Sequence, residues 1–371
     1  MVRLLICAGG TGGGVYPALA VLQALTDKLD DILWVGGQGG LEAELIKRES
    51  IPYAEIPAAG VHGVGLRTLP GNILKLVKGF FASRKILREF KPDVLLFTGG
   101  YVAAPMAVAG FGKKSILYIP DIEPGLALKF LSGFADKIAI SAPQSKEYFK
   151  NPNKLVVTGY PTRADLKSWD RNKAFNLLNL HSKKTVLLCF GGSKGARSIN
   201  RALIPILPDL LPQMQIIHIT GSLDWTEVQQ AKENLSAEIS SDYHIYPYLH
   251  EEMGAALSAA DLVISRGGAS TLGEFPLFGL PAIIVPYPYA WRYQKVNAEY
   301  MVNQGAAILL QDEMLQSSLK QQILSLFNQP ELLQTMKQAM SDLAHPQAAS
   351  EIAGLVLSLG NHPHTKGDVH D

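Results

Sequence analysis

The feature that most constrains this chain is an apolar, strand-like run that ends in a cluster of glycines and leads into a helical stretch. This arrangement occurs at residues 3–14, at residues 185–195 and again at residues 262–273. Short apolar runs that alternate with longer helical stretches are typical of parallel α/β units, because parallel strands need a crossover helix between them. The sequence therefore predicts an α/β fold in which two similar halves each begin with a strand and a glycine turn.

Length and composition indicate two globular domains. The chain has 371 residues, of which 47% are hydrophobic and 18% are charged, so it can bury two cores and is too apolar to be disordered. Its formal net charge of +1 does not favour nucleic acid, and an anionic partner must be bound by local clusters. The two cysteines, Cys7 and Cys189, lie in apolar runs and are predicted to be buried strand thiols in a reducing compartment.

The domain boundaries follow from where strands, helices and turn residues fall. We predict a first domain over residues 1–160 and a second over residues 161–345. A helix over residues 346–360 is expected to return to the first domain, and the polar tail 361–371 is expected to be disordered. No window reaches the ~18 apolar residues that a transmembrane helix needs, which predicts a soluble or peripheral protein.

The first two glycine clusters are candidate anion sites, because glycines let backbone N–H groups approach an anion and the following helix adds its dipole. Residues 9–14 match neither the G-x-G-x-x-G dinucleotide pattern nor the G-x-x-x-x-G-K-[ST] phosphate loop, which argues against hydride transfer and P-loop chemistry. A tight turn without a ligand is the alternative for this cluster. In the second cluster, Ser193 is a candidate phosphate ligand, and Lys194 or Arg197 could add positive charge.

The third cluster, residues 265–274, follows a predicted strand and opens a helix at the sheet edge where ligands bind in such folds. Glu274 lies one helical turn in, where a carboxylate can accept hydrogen bonds from two ribose hydroxyls. The alternative is an acid of the first helical turn that only interacts favourably with the helix dipole. Spacing alone leaves both interpretations open.

At these clusters the chain resembles the family of UDP-N-acetylglucosamine–N-acetylmuramyl-(pentapeptide) pyrophosphoryl-undecaprenol N-acetylglucosamine transferases, the MurG family. The resemblance implies an α/β fold of the GT-B class, with two Rossmann-like parallel-sheet domains that face each other across a cleft. The matching segments occur in family order and span nearly the whole chain: GGTGGGVYPALAV (9–21), GGYVAAP (99–105), GYPTR (159–163), FGGSKGARSIN (190–200), DLVISRGGASTLGEFPLFGLPAIIV (261–285) and QKVNA (294–298).

The resemblance also implies a binding site for the diphosphate of a UDP-sugar donor. Thr11, Gly12 and Gly13 would line the phosphate side of the cleft, for either the acceptor or the donor. Arg163 and Ser193 would contact the UDP diphosphate. No cofactor and no metal are predicted, because helix N-termini and cations would stabilise the leaving UDP and no Asp-x-Asp pair follows a strand.

The nucleoside and the sugar are assigned in the same way, by position in the family's motifs. His250 would present backbone groups to the uracil edge, and Gln294 and Asn297 would hydrogen-bond the sugar hydroxyls. One continuous segment would wrap the ribose and the phosphate, with its glutamate on the ribose hydroxyls: Ala269, Ser270, Thr271, Leu272, Gly273 and Glu274.

The chain departs from the family on the acceptor side. The family's first glycine loop ends in His, where this chain has Gly14, and the family's His-Glu-Gln-Asn run is replaced here by Tyr-Ile-Pro-Asp at residues 118–121. The stretch that usually contains Asp and His before Gln294 reads Ala-Trp-Arg-Tyr. The donor half therefore matches the family more fully than the acceptor half.

Because Gly14 has no side chain, we predict Asp121 or Glu123 as the general base that takes the acceptor's proton. Both acids follow a predicted strand whose end should face the cleft. His62, in a glycine-rich loop that corresponds to one near the acceptor in the family, is the rival base. The alternative for both acids is a solvated loop residue or a helix cap.

Residues 72–90 predict a basic amphipathic helix, in which Phe80 and Phe81 are apolar and Lys78 is one of several cations. Such a helix can dock on an anionic leaflet, and the alternative is a core-facing helix with a solvated basic face. The family's peripheral location favours docking on the cytoplasmic face of the bacterial inner membrane. No nucleic-acid partner is expected.

The predicted reaction is the inverting transfer of N-acetylglucosamine from UDP-N-acetylglucosamine to lipid I, a polyprenyl-linked acceptor, which forms lipid II in peptidoglycan synthesis. Two alternatives stay open because the acceptor-side motifs differ. One is a GT-B glycosyltransferase for another lipid or small acceptor. The other is a non-catalytic homologue that binds a UDP-sugar.

Overall fold

The computed structural model describes residues 1–9, 12–40, 42–60, 65, 67–192, 195–289 and 292–361. Its contacts divide the chain into two compact units. The first unit contains Met1–Pro120, Pro124–Pro161 and the chain from Gln347 onward, and the second contains Asp121–Glu123 and Thr162–Pro346. Apart from Asn361, the tail that the sequence predicts to be disordered lies outside the described residues.

The sheet of the first unit has seven parallel strands: β1 (Val2–Ala8), β2 (Leu29–Gly37), β3 (Tyr53–Ile56), β4 (Val94–Gly99), β5 (Lys114–Ile119), β6 (Lys137–Ile140) and β7 (Leu155–Val157). They pair in the order β3-β2-β1-β4-β5-β6-β7. Strands β1, β4 and β5 are apolar and buried on both faces, as expected for a sheet covered on both sides. Strand β3 has no counterpart among the predicted strands, because its short sequence YAEI carries little pattern.

The helices of the first unit follow the strands: α1 (Gly12–Ala24), α2 (Glu42–Arg48), α3 (Leu69–Phe90), α4 (Ala103–Ala109) and α5 (Leu126–Leu131). Pro17 is a residue type favoured in the first turn of a helix and predicts a helix that starts there. Helix α1 begins earlier, at Gly12, so the last glycines of the first cluster are helical. None of the helices in the described ranges combines the length and the apolar character needed to cross a membrane.

The second unit repeats this plan with six parallel strands: β8 (Thr185–Phe190), β9 (Met214–Ile219), β10 (Tyr243–Tyr246), β11 (Leu262–Ser265), β12 (Ala282–Ile284) and β13 (Ala307–Leu309). They pair in the order β10-β9-β8-β11-β12-β13. In both units the strand order reverses after the first strand of the unit, at β1/β4 and at β8/β11. Ligands of such sheets bind at the carboxyl ends of the strands beside this reversal. The prediction of two Rossmann-like parallel-sheet domains is confirmed.

The helices of the second unit are α6 (Arg171–Leu178), α7 (Arg197–Leu203), α8 (Leu207–Leu210), α9 (Trp225–Glu233), α10 (Ala237–Ser240), α11 (Met253–Ala259), α12 (Thr271–Phe278), α13 (Tyr293–Asn303), α14 (Leu315–Phe327) and α15 (Pro330–Asp342). The sequence of residues 197–211 predicts one continuous helix, and this prediction is wrong. Pro205 and Pro208 interrupt the helical hydrogen bonds, and a 3₁₀ turn at Ile204–Ile206 separates α7 from α8.

The last helix, α16 (Ala348–Gly360), packs in the first unit against α1 and beside β1, β4 and β5. Its buried face consists of Ala348, Ile352, Ala353 and Val356. Residues far apart in sequence thus complete one core, and this core depends on the end of the chain.

We expect Ile352→Ala to lower the free energy of unfolding of the first unit by about 2–5 kcal/mol, because the fully buried side chain leaves a cavity when it is truncated. Differential scanning calorimetry measures the effect. The matched control is Glu351→Ala on the exposed face of the same helix, for which we expect a change below about 0.5 kcal/mol. Equal transition temperatures for the two variants would contradict the packing of α16.

Candidate functional site

The glycine turn that follows β1 packs directly against the end of β4. Gly100 has φ +87°, and a Cβ there would lie 2.4 Å from the carbonyl oxygen of Gly9. The Thr98 hydroxyl donates a hydrogen bond of 2.6 Å to the carbonyl oxygen of Gly14. A Cβ on Gly14 would lie 3.1 Å from the Thr98 carbonyl oxygen, so this position tolerates a side chain only if the neighbouring strand end shifts.

The residues that the sequence assigns to this turn are only partly described. Gly12 and Gly13 are the first residues of α1. Thr11 lies outside the described residues, and so does the rival base His62.

A buried carboxylate under the first turn was not predicted from the sequence. Glu42, at the start of α2, is 4% exposed and accepts a hydrogen bond of 2.9 Å from the Gly37 N–H. Cβ atoms at Gly9 and Gly40 would both lie 2.3 Å from its carboxylate oxygens. An acid in the first turn of a helix is usually solvated, so the sequence carries no signal for this burial.

The second glycine turn is held by close packing as well. Gly192 and Gly195 have φ values of +88° and +77°, and the Gly195 N–H donates to the Gly192 carbonyl at 2.9 Å. Ser193 and Lys194 lie outside the described residues. Arg197 begins α7, and its Nε donates to the buried Asp224 carboxylate at 2.8 Å.

The third cluster places Glu274 in the first turn of α12. Thr271 to Glu274 are helical, whereas Ala269 and Ser270 form the turn before the helix. The hydroxyl of Thr271 donates to the carbonyl oxygen of Gly268 at 2.7 Å, which fixes the turn. Burial raises the pKa of Glu274 to about 7, although Arg163 and a hydrogen bond from Ser270 oppose the shift.

Arg163 lies beside Glu274 and reaches a third predicted residue. Its Nη2 donates to the carbonyl oxygen of His250 at 3.4 Å and lies 3.4 Å from the carboxylate of Asp165. The ring of His250 packs edge-on against Tyr248. The structure thus brings together Arg163, His250 and Glu274, the residues that the resemblance assigns to the UDP diphosphate, uracil and ribose.

Helix α13 carries the two residues that the resemblance assigns to the sugar. The carbonyl oxygen of the Gln294 side chain accepts a hydrogen bond of 2.9 Å from the Tyr287 N–H. Asn297 is fully buried, and its amide nitrogen donates to Asp121 at 2.8 Å and to the Gly267 carbonyl at 3.1 Å. In this structure Asn297 therefore holds neighbouring protein groups, a role that spacing on a helix did not indicate.

The two candidate bases have different surroundings. Burial raises the pKa of the Asp121 carboxyl, and the hydrogen bond from Asn297 opposes this shift. The N–H of Ile122 donates to the Asn297 side-chain oxygen at 3.0 Å, which fixes the backbone beside Asp121. Glu123 instead accepts from Arg292 through both oxygens, at 2.5 and 2.7 Å. Glu123 is thus an ion-paired carboxylate, whereas Asp121 is held next to an amide.

Arg266 is a buried cation that the sequence did not single out. Its guanidinium donates to Asp312 at 2.5 Å, to the Ser198 hydroxyl at 2.7 Å and to the Val285 carbonyl at 3.1 Å. It also lies under the ring of Tyr287. One side chain therefore links α7, the end of β12 and the loop before α13.

Helix α3 exposes part of the face predicted to bind a membrane. Phe81 is 65% exposed and packs edge-on against the half-buried Phe80. Lys78 is exposed on the same helix. Three further apolar side chains of α3 are exposed: Ile73, Leu74 and Val77.

Both cysteines of the chain lie within the described residues. Cys7 and Cys189 are free and fully buried, and burial raises the pKa of Cys189 to about 12 and that of Cys7 further. Within the described residues, no group of three or more His, Cys, Asp or Glu side chains is arranged to hold a metal ion.

Comparisons with known proteins agree along nearly the whole chain. The glycosyltransferase family 28 N-terminal domain matches residues 4–140, and the family 28 C-terminal domain matches residues 186–352. The crystal structure of Acinetobacter baumannii MurG has a TM-score of 0.77 and 27% identity, over 96% of this chain and 100% of that one. A UDP-GlcNAc 2-epimerase from Neisseria meningitidis, at 13% identity and a TM-score of 0.69, shares the fold.

Curated relatives are similar over their full length. The UDP-N-acetylglucosamine–N-acetylmuramyl-(pentapeptide) pyrophosphoryl-undecaprenol N-acetylglucosamine transferase of Roseiflexus sp. is 37% identical, over 96% of this chain and 95% of that protein. The protein of the same name from Desulforudis audaxviator is 35% identical, over 96% and 98%. With both family 28 domains and this identity over its whole length, the chain belongs to the MurG family of UDP-N-acetylglucosamine-dependent glycosyltransferases of the GT-B fold.

Proposed function

We propose that this chain transfers N-acetylglucosamine from UDP-N-acetylglucosamine to lipid I and so forms lipid II. The observation that carries the proposal is the cluster of Arg163, His250 and Glu274 in a chain that aligns with curated transferases over 96% of its length. Each of the three residues has the chemistry that its part of the donor requires. The guanidinium suits a diphosphate, the backbone carbonyl at His250 suits a uracil N–H, and the carboxylate suits two ribose hydroxyls.

The transfer is a single in-line displacement. The acceptor hydroxyl attacks the anomeric carbon, the bond from that carbon to the UDP oxygen breaks, and UDP leaves with the electron pair. Asp121 accepts the proton of the attacking hydroxyl. Burial raises the pKa of this carboxyl and so makes it a stronger base, and the hydrogen bond from Asn297 holds it in place.

The acceptor carries a polyprenyl chain, so the enzyme must meet a bilayer surface. The exposed apolar side chains of α3, with Lys78, Arg84, Lys85 and Arg88 on the same helix, suit the cytoplasmic face of an anionic membrane. UDP-N-acetylglucosamine, the lipid-linked acceptor and anionic lipid are therefore the proposed partners. Stabilisation of the leaving UDP is assigned to Arg163 and to helix N-termini, without a required metal.

The reaction is tested with radiolabelled UDP-N-acetylglucosamine offered to lipid I and, separately, to diacylglycerol. We expect label in the lipid I product only. Transfer to diacylglycerol alone would assign the chain to a different acceptor. Binding of UDP without transfer to either lipid would identify a non-catalytic homologue.

We expect Glu274→Gln to raise the donor KM roughly 10–100-fold, because a charge-assisted hydrogen bond is lost. The wild-type donor KM should also rise as the pH falls below about 7, since protonation removes the carboxylate that accepts the ribose hydroxyls. Above this pH the carboxylate is ionised and the KM should level off. Initial-rate kinetics between about pH 5.5 and 8.5 measure both effects. A pH dependence that persists unchanged in Glu274→Gln would exclude this assignment.

We expect Asp121→Asn to lower kcat by about 10²–10⁴-fold and to leave the donor KM nearly unchanged. Glu123→Gln is the control, since this acid is engaged by Arg292, and its effect on kcat should be much smaller. In the wild type kcat should fall towards low pH, because a protonated Asp121 cannot accept the proton. Wild-type turnover in both variants would remove these acids from the mechanism.

We expect Phe81→Ser combined with Lys78→Glu to reduce binding to vesicles of anionic phospholipid, because both apolar burial and charge attraction are lost. Co-sedimentation measures binding, with Leu332→Ser as the control for the loss of an exposed apolar side chain on a helix of the second unit. Phe80→Ser should have a smaller effect than Phe81→Ser, because Phe80 is half-buried. Undiminished binding of the double variant would refute membrane docking through α3.

A further inference from the structure

A chain of buried hydrogen bonds runs through the second unit from the edge of the sheet to the second glycine turn. On β9 and β10, the His218 Nδ1 lies 2.7 Å from the Tyr243 hydroxyl. The His218 Nε2 lies 2.9 Å from the side-chain oxygen of Asn200, on α7. The Asn200 amide nitrogen donates to the Thr220 carbonyl and to the Asp224 carboxylate, both at 2.9 Å.

The groups at the ends of this hydrogen-bond network determine which atom donates in each bond. The Thr220 carbonyl and the Asp224 carboxylate can only accept hydrogen bonds. The Asn200 amide nitrogen therefore faces them, and its side-chain oxygen faces His218. His218 must then donate from Nε2 and accept from the Tyr243 hydroxyl at Nδ1. Burial lowers the pKa of His218 to about 3, so the ring stays neutral and keeps this tautomer.

The chain ends on the two groups that shape the second glycine turn. Asp224 accepts from the Nε of Arg197 at 2.8 Å through its other oxygen. The Thr220 carbonyl is the group that Gly195 packs against, since a Cβ at Gly195 would lie 2.2 Å from its oxygen. Asn200 therefore fixes both the strand end that supports Gly195 and the carboxylate that holds Arg197.

We propose that Asn200, braced by His218 and Tyr243, is a positioning residue that fixes Gly195 and Arg197, at the end of the second glycine turn, for the diphosphate of the nucleotide donor. This inference rests on the proposed donor binding and adds a residue that does not touch the ligand. Asn200 is 1% exposed and His218 and Tyr243 are fully buried, so each acts only through its neighbours. The uracil and ribose are assigned to other elements, around His250 and Glu274.

That separation allows the turn to be tested apart from the rest of the site. A ligand with a diphosphate depends on the turn, whereas a nucleoside without phosphate does not. UDP and uridine are therefore the two probes, and isothermal titration calorimetry gives a Kd for each. Asn200→Leu keeps the side-chain volume and removes the amide. We expect it to raise the Kd for UDP about tenfold and to leave the Kd for uridine unchanged.

Gln215 provides the matched control for loss of a buried amide. It lies fully buried at the other end of β9, where its side chain hydrogen-bonds the backbone of His181. Gln215→Met should lower the transition temperature about as much as Asn200→Leu, but leave both Kd values unchanged. A general loss of stability therefore cannot imitate the expected result.

Tyr243→Phe is the second variant, because it removes only a hydroxyl. It tests the same positioning role if Asn200→Leu does not fold. We expect it to raise the Kd for UDP by about twofold or more and to leave the Kd for uridine unchanged. An unchanged ratio of the UDP and uridine Kd values in the folded variants would overturn the proposal, and so would equal loss of both ligands. Absence of UDP binding by the wild-type protein would instead contradict the proposed function.

Discussion

Close packing of a glycine against the backbone of a neighbouring element shapes each candidate binding turn of this chain. Gly100 packs on Gly9 in the first unit, Gly195 packs on Thr220 in the second, and Gly267 packs on the carbonyl of Gln294. A Cβ at any of these three positions would lie 2.2–2.4 Å from a backbone oxygen. Such contacts leave no room for a side chain, so two of these glycines pack on residues at strand ends and Gly267 packs on the start of α13.

Buried polar side chains form hydrogen bonds between elements that are distant in sequence, which glycines cannot do because they have no side chain. Asn200 joins α7 to the end of β9, Arg266 joins β11 to Asp312, and Asn297 joins α13 to Asp121. Such groups stabilise a fold only when their hydrogen bonds are satisfied, because a buried donor without a partner costs free energy. These three side chains fix positions in the fold, because each connects a loop at the carboxyl edge of the sheet to a helix.

The sequence predicts the strands other than β3, because these depend on local apolar runs that end at glycine or proline. Glu274 could also be placed, since its distance from the end of β11 fixes its helical turn. Partners that lie far apart in sequence could not be predicted. Asn297 and Asp121 are separated by 176 residues, and only the folded chain shows that the amide holds the carboxylate.

The acceptor side can be understood from how its two acids differ. Glu123 receives two hydrogen bonds from one guanidinium, which occupies both of its oxygens. Asp121 receives a hydrogen bond from a neutral amide in a buried position, and burial favours its protonated form. Gly14 cannot supply a base, and its contact with Thr98 leaves little space for one. Asp121 is therefore the acid that the proposed mechanism uses to accept the proton of the acceptor, and Asn297 is the group that holds its side chain.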